Sequence, residues 1–467
     1  MTNELRKSSL TFWGLVFFAI TVIFPAGPFA VTGVTAMDYS GKTAPLAFLI
    51  GGLTLFLAII AVYIYTTRIS NAGGYYKFVE VSVNNKYLSK SVGFYYLFWV
   101  IGDMIVASIV VGWFLWVGLQ TLVGYSLPLI WVILISLVTP VVYLIVGIFS
   151  INLSQKIAII MGIIEIAFFV GLSIAILVKT PYNGAEYFNI GNSLNGLHGF
   201  FLAMVVGAFL AYGGYGSIVV LGEEAKLPLT SIKKAVVVAL LIMIAYDTLV
   251  VYANVAGAGP NLGTALQYFA PGLYLTKNYF GFATTVVAFA VVEISQLMSP
   301  VLFGNSGARA LYAMARDGVF PKSLAKVHPK YQSPYMAVIA VFIVVVAGIV
   351  ISLVSLVAYF GEDNGLFDPI VIFGISITIF TLLYHIIVNQ TLAPFMYKLK
   401  GLNIPVHIIA PTAASVIMGV AIYYSLIGLT WPLSVIYIMI PAWIIISLVV
   451  VFVRRGKVKM DTLEQYM

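Results

Sequence analysis

The chain has 467 residues, 62% hydrophobic and 9% charged, with a mean hydropathy of +1.06; soluble domains carry about 25% charged residues, so a soluble protein is excluded. Its long unbroken apolar runs exclude a β-barrel, whose strands read as short alternating segments. There is no cysteine, the four histidines (His198, His328, His385, His407) are scattered, and the net charge is +8, so no disulfide, metal site or cofactor is expected.

Twelve hydrophobic spans follow one another, at about 11–36, 44–67, 91–122, 128–148, 154–178, 198–221, 234–257, 280–308, 335–357, 368–391, 404–428 and 432–453. The first is too long for a cleavable signal peptide. With the N-terminus placed in the cytoplasm, 21 of the 24 Lys and Arg fall on cytoplasmic segments, leaving only Lys42, Lys179 and Lys277 outside. That bias predicts a multi-pass protein of the cytoplasmic membrane with both termini inside. The basic balance then reflects topology in the lipid bilayer, and no nucleic-acid partner is expected. No loop is large enough to be a soluble domain, so residues 1–467 read as one membrane domain.

Span 1 carries no charge from Ser8 to Met37, yet Phe24-Pro25-Ala26-Gly27-Pro28-Phe29 interrupts it. Each proline removes an amide donor and clashes with the preceding turn, so a continuous helix is not expected here. Broken backbone at membrane depth is tolerated where it is buried in protein or lines a watery cavity; the alternative is a packed proline kink. Four acids lie within spans: Asp103 (span 3), Glu165 (span 5), Asp247 (span 7) and Glu293 (span 8). On insertion scales an acid at the bilayer centre costs about 2.5–3.5 kcal/mol, so each needs a reason. His385, in span 10, reads as a packing residue.

Span 6 holds a second interruption, Ala211-Tyr212-Gly213-Gly214-Tyr215-Gly216. Glycines are poor helix formers, although small residues also allow close helix packing. The two interruptions lie five spans apart. Matched Gly/Pro interruptions in two halves point to a transporter built from inverted repeats. Residues 11–178 (spans 1–5) and 198–397 (spans 6–10) are then the repeats, and 404–453 adds spans 11 and 12.

Three segments carry a family resemblance. Gly213-Gly214-Tyr215 with Gly222-Glu223-Glu224-Ala225-Lys226-Leu227-Pro228 resembles the sixth-helix signature of the amino acid–polyamine–organocation superfamily. Arg309-Ala310-Leu311-Tyr312-Ala313-Met314-Ala315-Arg316-Asp317-Gly318, with Pro321 beyond it, is similar to the motif after the eighth helix. Asn71-Ala72-Gly73-Gly74-Tyr75-Tyr76 is similar to a third motif, after span 2. The resemblance covers nearly the whole chain. It implies an amino acid permease with an all-α, leucine-transporter-like fold: a 5+5 inverted repeat with broken helices 1 and 6, plus two extra helices.

The chemistry of the breaks suggests a site. A half-helix that starts at a break offers free amides and a positive dipole end to a carboxylate. Pro28 suits the first helical position, which leaves Ala26, Gly27, Phe29 and Ala30 as donors. The carbonyl-rich end before a break suits an ammonium, and the candidates are Phe24 and Leu210, Ala211, Tyr212 and Gly213. Gly214 and Tyr215 complete the substrate-binding set. In the resemblance, the position of Leu210 often holds a gating aromatic, and the candidates for that role here are Phe209, Tyr212 and Tyr215. Asp103 aligns with a polar residue that faces substrate in relatives; it is expected to pair with a substrate cation, to line the cavity, or to be structural. Glu165 lies near the position where some proton-coupled relatives hold a lysine. A desolvated carboxylate can load and release a proton, so Glu165 is expected to couple transport to H+, the alternative being a structural hydrogen bond. Arg309, Arg316 and Asp317 are candidates for an inner gate or for topology anchors.

The sequence contains no His-Glu-x-x-His and no Gly-x-Ser-x-Gly, so an enzyme is not expected. Nothing resembles a channel filter. The expected activity is secondary active transport of amino acids by alternating access, as proton-coupled symport. The alternatives are amino acid/amine exchange, or permeation of polyamines and other organic amines.

Overall fold

The computed structural model describes residues 5–7, 9–149, 151–268 and 270–466. Among these, the regular elements are all helical, and twelve segments are long and apolar enough to cross a membrane. The count and the limits follow the apolar runs of the sequence to within a few residues for most spans. This is an all-α polytopic membrane protein. Burial sorts the spans into layers: span 6 (Gly196–Glu224) has 94% of its most apolar window buried in protein, span 12 (Leu433–Arg454) only 22%. Apolar side chains on the peripheral helices therefore face outward, as a lipid solvent requires.

Span 1 starts at α1 (Phe12–Ile23), where the Thr11 side chain accepts a hydrogen bond from the Gly14 amide. It stops at Phe24, which adopts a left-handed conformation (φ 64°) ahead of Pro25. A single turn follows, α2 (Gly27–Ala30), with Pro28 near its start. Then the backbone breaks again: Val31 has φ −136° and ψ −69°, and α3 (Thr32–Ser40) begins beyond it. The sequence led us to expect one interruption, and there are two. Gly33 lets the chain fold back tightly here, since a Cβ on it would clash with the Pro28 carbonyl.

In span 6 the interruption takes the form of changes in helix type. A π-helical stretch (Met204–Phe209) leads through Leu210–Tyr212 into a 3₁₀ helix, Gly213–Glu224. A 3₁₀ run of twelve residues is unusually long. Its glycines bring it against neighbours: a Cβ on Gly214 would lie 2.5 Å from the Ile23 amide nitrogen, and one on Gly216 would lie 2.3 Å from the Tyr75 hydroxyl. The two irregular spans therefore meet backbone to backbone. Span 3 (Lys86–Val123) packs along both span 8 (Pro271–Arg316) and the span 10 helix (Glu362–Lys398), and closes the centre from the other side.

Candidate functional site

A central cavity with an empty volume of about 570 Å³ lies where the first break faces spans 3, 6, 8 and 10. The end of α1 and the second break give it Val22, Ile23, Phe24, Val31 and Thr32. Span 3 gives Asp103, Val106, Ala107 and Val110, residues three to four apart on one helical face. Leu210 and Ala211 come from span 6, and Gln296, Ser299 and Phe303 from one face of span 8; Ile370 completes the wall. Among the described residues, Asp103 is its one ionisable side chain, and neither Lys nor Arg lines it.

Of the residues expected at the site, Phe24, Asp103, Leu210 and Ala211 line this cavity. The others are engaged around it. The Gly27 amide donates to the Phe24 carbonyl at 2.8 Å and the Ala30 amide to the Ala26 carbonyl at 3.0 Å, so both donors are spent within the break. The Pro25 carbonyl accepts from the Tyr246 hydroxyl at 2.7 Å. Phe29 packs on Phe169, with ring centroids 4.9 Å apart, and Ala30 lines a neighbouring void. Tyr212 packs edge-on against Phe48. Gly213 sits beside Trp99. Gly214 lies against α1, and the Tyr215 hydroxyl is bonded to His385 Nε2. His385 uses its other nitrogen on the Thr381 carbonyl at 2.8 Å, a satisfied packing residue.

Glu165 is fully buried at the level of the first break. Span 5 (Ile151–Lys179) runs along span 1 from the Thr21–Ala158 hydrogen bond to the Phe29–Phe169 ring contact, and Glu165 falls between the two. Its Oε2 accepts from Ser295 Oγ at 2.7 Å, and its Oε1 has no partner. The next residue along span 8 is Gln296, in the cavity wall. Asp247 is also fully buried, with neither carboxylate oxygen partnered.

Sequence reasoning did not weigh Thr32, Gln296, Ser299 or Phe303. Gln296 and Ser299 were visible as polar residues three apart on an apolar helix. Thr32 carried no comparable signal, because nothing in the sequence around Val31 announces a second break.

The cavity is sealed toward the end of the bundle that carries both termini. Phe303 meets Trp99 at 5.3 Å between ring centroids, Trp99 meets Tyr96 at 5.2 Å, and Tyr96 meets Tyr75 at 5.6 Å. Tyr384 and His385 pack on Tyr75 from span 10. Beyond this aromatic layer lies a charged one, built from residues of the three motifs together with Lys77, Glu80, Lys90 and Asp461. The Arg309 guanidinium is buried against Glu224, with Nη2 to Oε1 at 3.0 Å and Nε bonded to Oε2. Arg316 holds Glu223 at 2.7 Å and reaches Asn71 Oδ1 at 3.2 Å, while the Ala72 amide donates to Glu223. Lys77 and Lys90 both sit 2.7 Å from Asp317 Oδ2 and both pair with Glu80. Asp461 adds its carboxylate to Lys77 at 2.8 Å and its amide to Glu80. Burial works against the charge on Asp317, but Lys90 and Lys77 outweigh it and hold its carboxyl below the usual 3.8. Burial likewise opposes the Lys77 ammonium, and Asp317 and Glu80 overcome it, raising Lys77 above 10.5.

At the opposite end the cavity continues. It shares Val31, Leu210 and Ile370 with a second void, which shares Thr35, Asp38 and Phe367 with a third that reaches Leu266 and Tyr268. A twelve-span bundle with a central cavity at a broken helix, sealed at one end and continued by voids toward the other, has the architecture of a membrane transporter. The family model described as amino acid permease matches residues 14–461, and the chain belongs to this family, within the amino acid–polyamine–organocation superfamily. It is similar to a branched-chain amino acid permease, BcaP, of Bacillus subtilis, at 25% identity over 71% of this chain and 72% of that one. An uncharacterized transporter of Mycobacterium tuberculosis is 33% identical over 30% of this chain and 31% of its own length. Cationic amino acid transporter 1 of Arabidopsis thaliana is 22% identical over 78% of this chain and 60% of that protein.

Proposed function

We propose that the chain is a proton-coupled symporter that moves amino acids with small apolar side chains across the cytoplasmic membrane by alternating access. One observation carries the substrate reading: the central cavity joins a single carboxylate, Asp103, to a wall made mostly of Val, Ile, Leu, Ala and Phe. A lone buried acid calls for a cation, which an α-ammonium supplies, and an apolar wall suits an aliphatic side chain. The similarity to a branched-chain amino acid permease agrees with this. An organic amine would satisfy Asp103 equally well, and that second reading rests on Asp103 alone.

In this reading spans 1–5 and 6–10 are inverted copies, whose first members, the two irregular spans, meet at Gly214 and Ile23. The end that carries both termini faces the cytoplasm, as the Lys and Arg distribution supports. The aromatic and ionic layers then form the inner gate, and the connected voids lead outward. Glu165 carries the coupling proton. In support, it is buried with one oxygen free, and Ser295, which it binds, adjoins Gln296 in the cavity wall. Proton occupancy at Glu165 then reaches the substrate through one residue of span 8.

The test is uptake of L-leucine into liposomes containing the purified protein under an imposed pH gradient. Wild-type protein should accumulate leucine, and Glu165→Gln should bind it yet no longer accumulate it. Full gradient-driven uptake by Glu165→Gln would remove Glu165 from the coupling role.

A further inference from the structure

The cavity contains a binding element that lies outside the first break. α3 has nine residues, and its helical hydrogen bonding begins with the Thr35 amide donating to the Val31 carbonyl. The amides of Thr32, Gly33 and Val34 therefore have no acceptor inside that helix, as at any helix start. Thr32 opens this turn and lines the cavity, and its buried Oγ1 has no hydrogen-bond partner. Gln296, 1% exposed, lines the same cavity, and neither its Oε1 nor its Nε2 has a partner. A buried carboxamide with both ends unmade carries the full desolvation penalty of its polar atoms. Such a group in a cavity wall is poised for a ligand. Meanwhile the Gly27 and Ala30 amides of the first break are already bonded internally.

We propose that Thr32, through its amide and hydroxyl, and Gln296, through its carboxamide, hold the carboxylate of the substrate at the second break, while Asp103 takes its ammonium. This rests on the amino acid reading above and sharpens it: the site selects an α-amino acid over the amine that lacks its carboxylate. A carboxylate has four lone-pair positions to fill, and a helix start with free amides favours negative charge. With neither Lys nor Arg lining the cavity, neutral donors are what remain to meet it.

The experiment measures binding to the purified full-length protein by calorimetry, with L-leucine and with isoamylamine, the same molecule without its carboxylate. Wild-type protein should prefer leucine. Gln296→Leu and Thr32→Val should each weaken leucine binding, by roughly 10- to 100-fold for Gln296→Leu, and leave isoamylamine binding unchanged. Gln296→Glu, which keeps the shape, should weaken leucine further and strengthen isoamylamine. Equal losses for both ligands, or no loss for leucine in either Gln296→Leu or Thr32→Val, overturn the assignment. A wild-type protein that binds isoamylamine as tightly as leucine overturns the amino acid reading and this inference together, and that result appears before any variant is made.

Discussion

The ionic layer near the termini and the central cavity solve opposite problems with buried polar groups. In the ionic layer almost every charge is met: Arg309 by Glu224, Arg316 by Glu223, Asp317 and Glu80 by Lys77 and Lys90. In the cavity the polar groups are left open, with Gln296 and the Thr32 hydroxyl unpartnered. A satisfied buried network rigidifies what it joins, whereas a buried polar group left unmade carries a desolvation penalty that a new partner would relieve. The first region ties the segment after span 2 to spans 3, 6 and 8 and to the C-terminal segment, and the second is where the proposed function places a solute.

The largest test of that contrast removes one member of a fully buried pair. Arg309→Met leaves the Glu224 carboxylate buried without its cation and should cost about 3–5 kcal/mol. Thermal unfolding in detergent should register this as a large fall in midpoint or a loss of folded protein. Arg309→Met combined with Glu224→Gln should recover most of it, and no recovery would mean that the guanidinium matters for more than its charge partner. Next, Asp103→Asn should leave the unfolding midpoint within about 0.5 kcal/mol of wild type. It should weaken leucine binding by about 1.5–3 kcal/mol, the worth of a hydrogen bond to a charged group. A variant that unfolds early but binds normally would move Asp103 from the solute to the scaffold.

The smallest effect is the pH dependence of the ionic layer. The folded pKa of Asp317 lies below 3.8, so its stabilisation is fully present above that value and is lost as pH falls through the folded pKa. The folded pKa of Lys77 lies above 10.5, so its share is full below that value and fades as pH rises beyond it. Unfolding midpoints should therefore be insensitive to the titration of these two groups between about pH 5 and pH 9. Asp461→Asn, which alters a partly exposed partner of Lys77, should lower the midpoint by no more than about 1 kcal/mol.

How far the sequence reached differs between the two regions for a physical reason. Span number and span limits were legible because lipid imposes a length and a polarity on every crossing. The three motifs announced their residues, although which charge meets which was visible only in space. The first break was legible through Pro25 and Pro28, whose missing donors act locally. The second break was not, since Val31 is an ordinary strand or helix residue and Gly33 earns its place only by nearness to the Pro28 carbonyl. The glycines of span 6 signalled irregularity correctly, but the chain tightened into a 3₁₀ helix at Gly213. Gln296 was overlooked because its significance lies in having no partner, a property of the fold alone.

The short turn α2 has a mechanical meaning. Flanked by a left-handed residue at Phe24 and a non-helical one at Val31, it is a rigid link with a joint at each end. Its own hydrogen bonds, Ala30 to Ala26 and Val31 to Gly27, lie between those joints. None of the helical hydrogen bonds of α1 or α3 runs through this link, which is buried and packed against Phe169. The Tyr246 hydroxyl on the Pro25 carbonyl tethers the chain beside its near joint. Two separate bends thus set the directions of α1 and α3, where a single kink would set one.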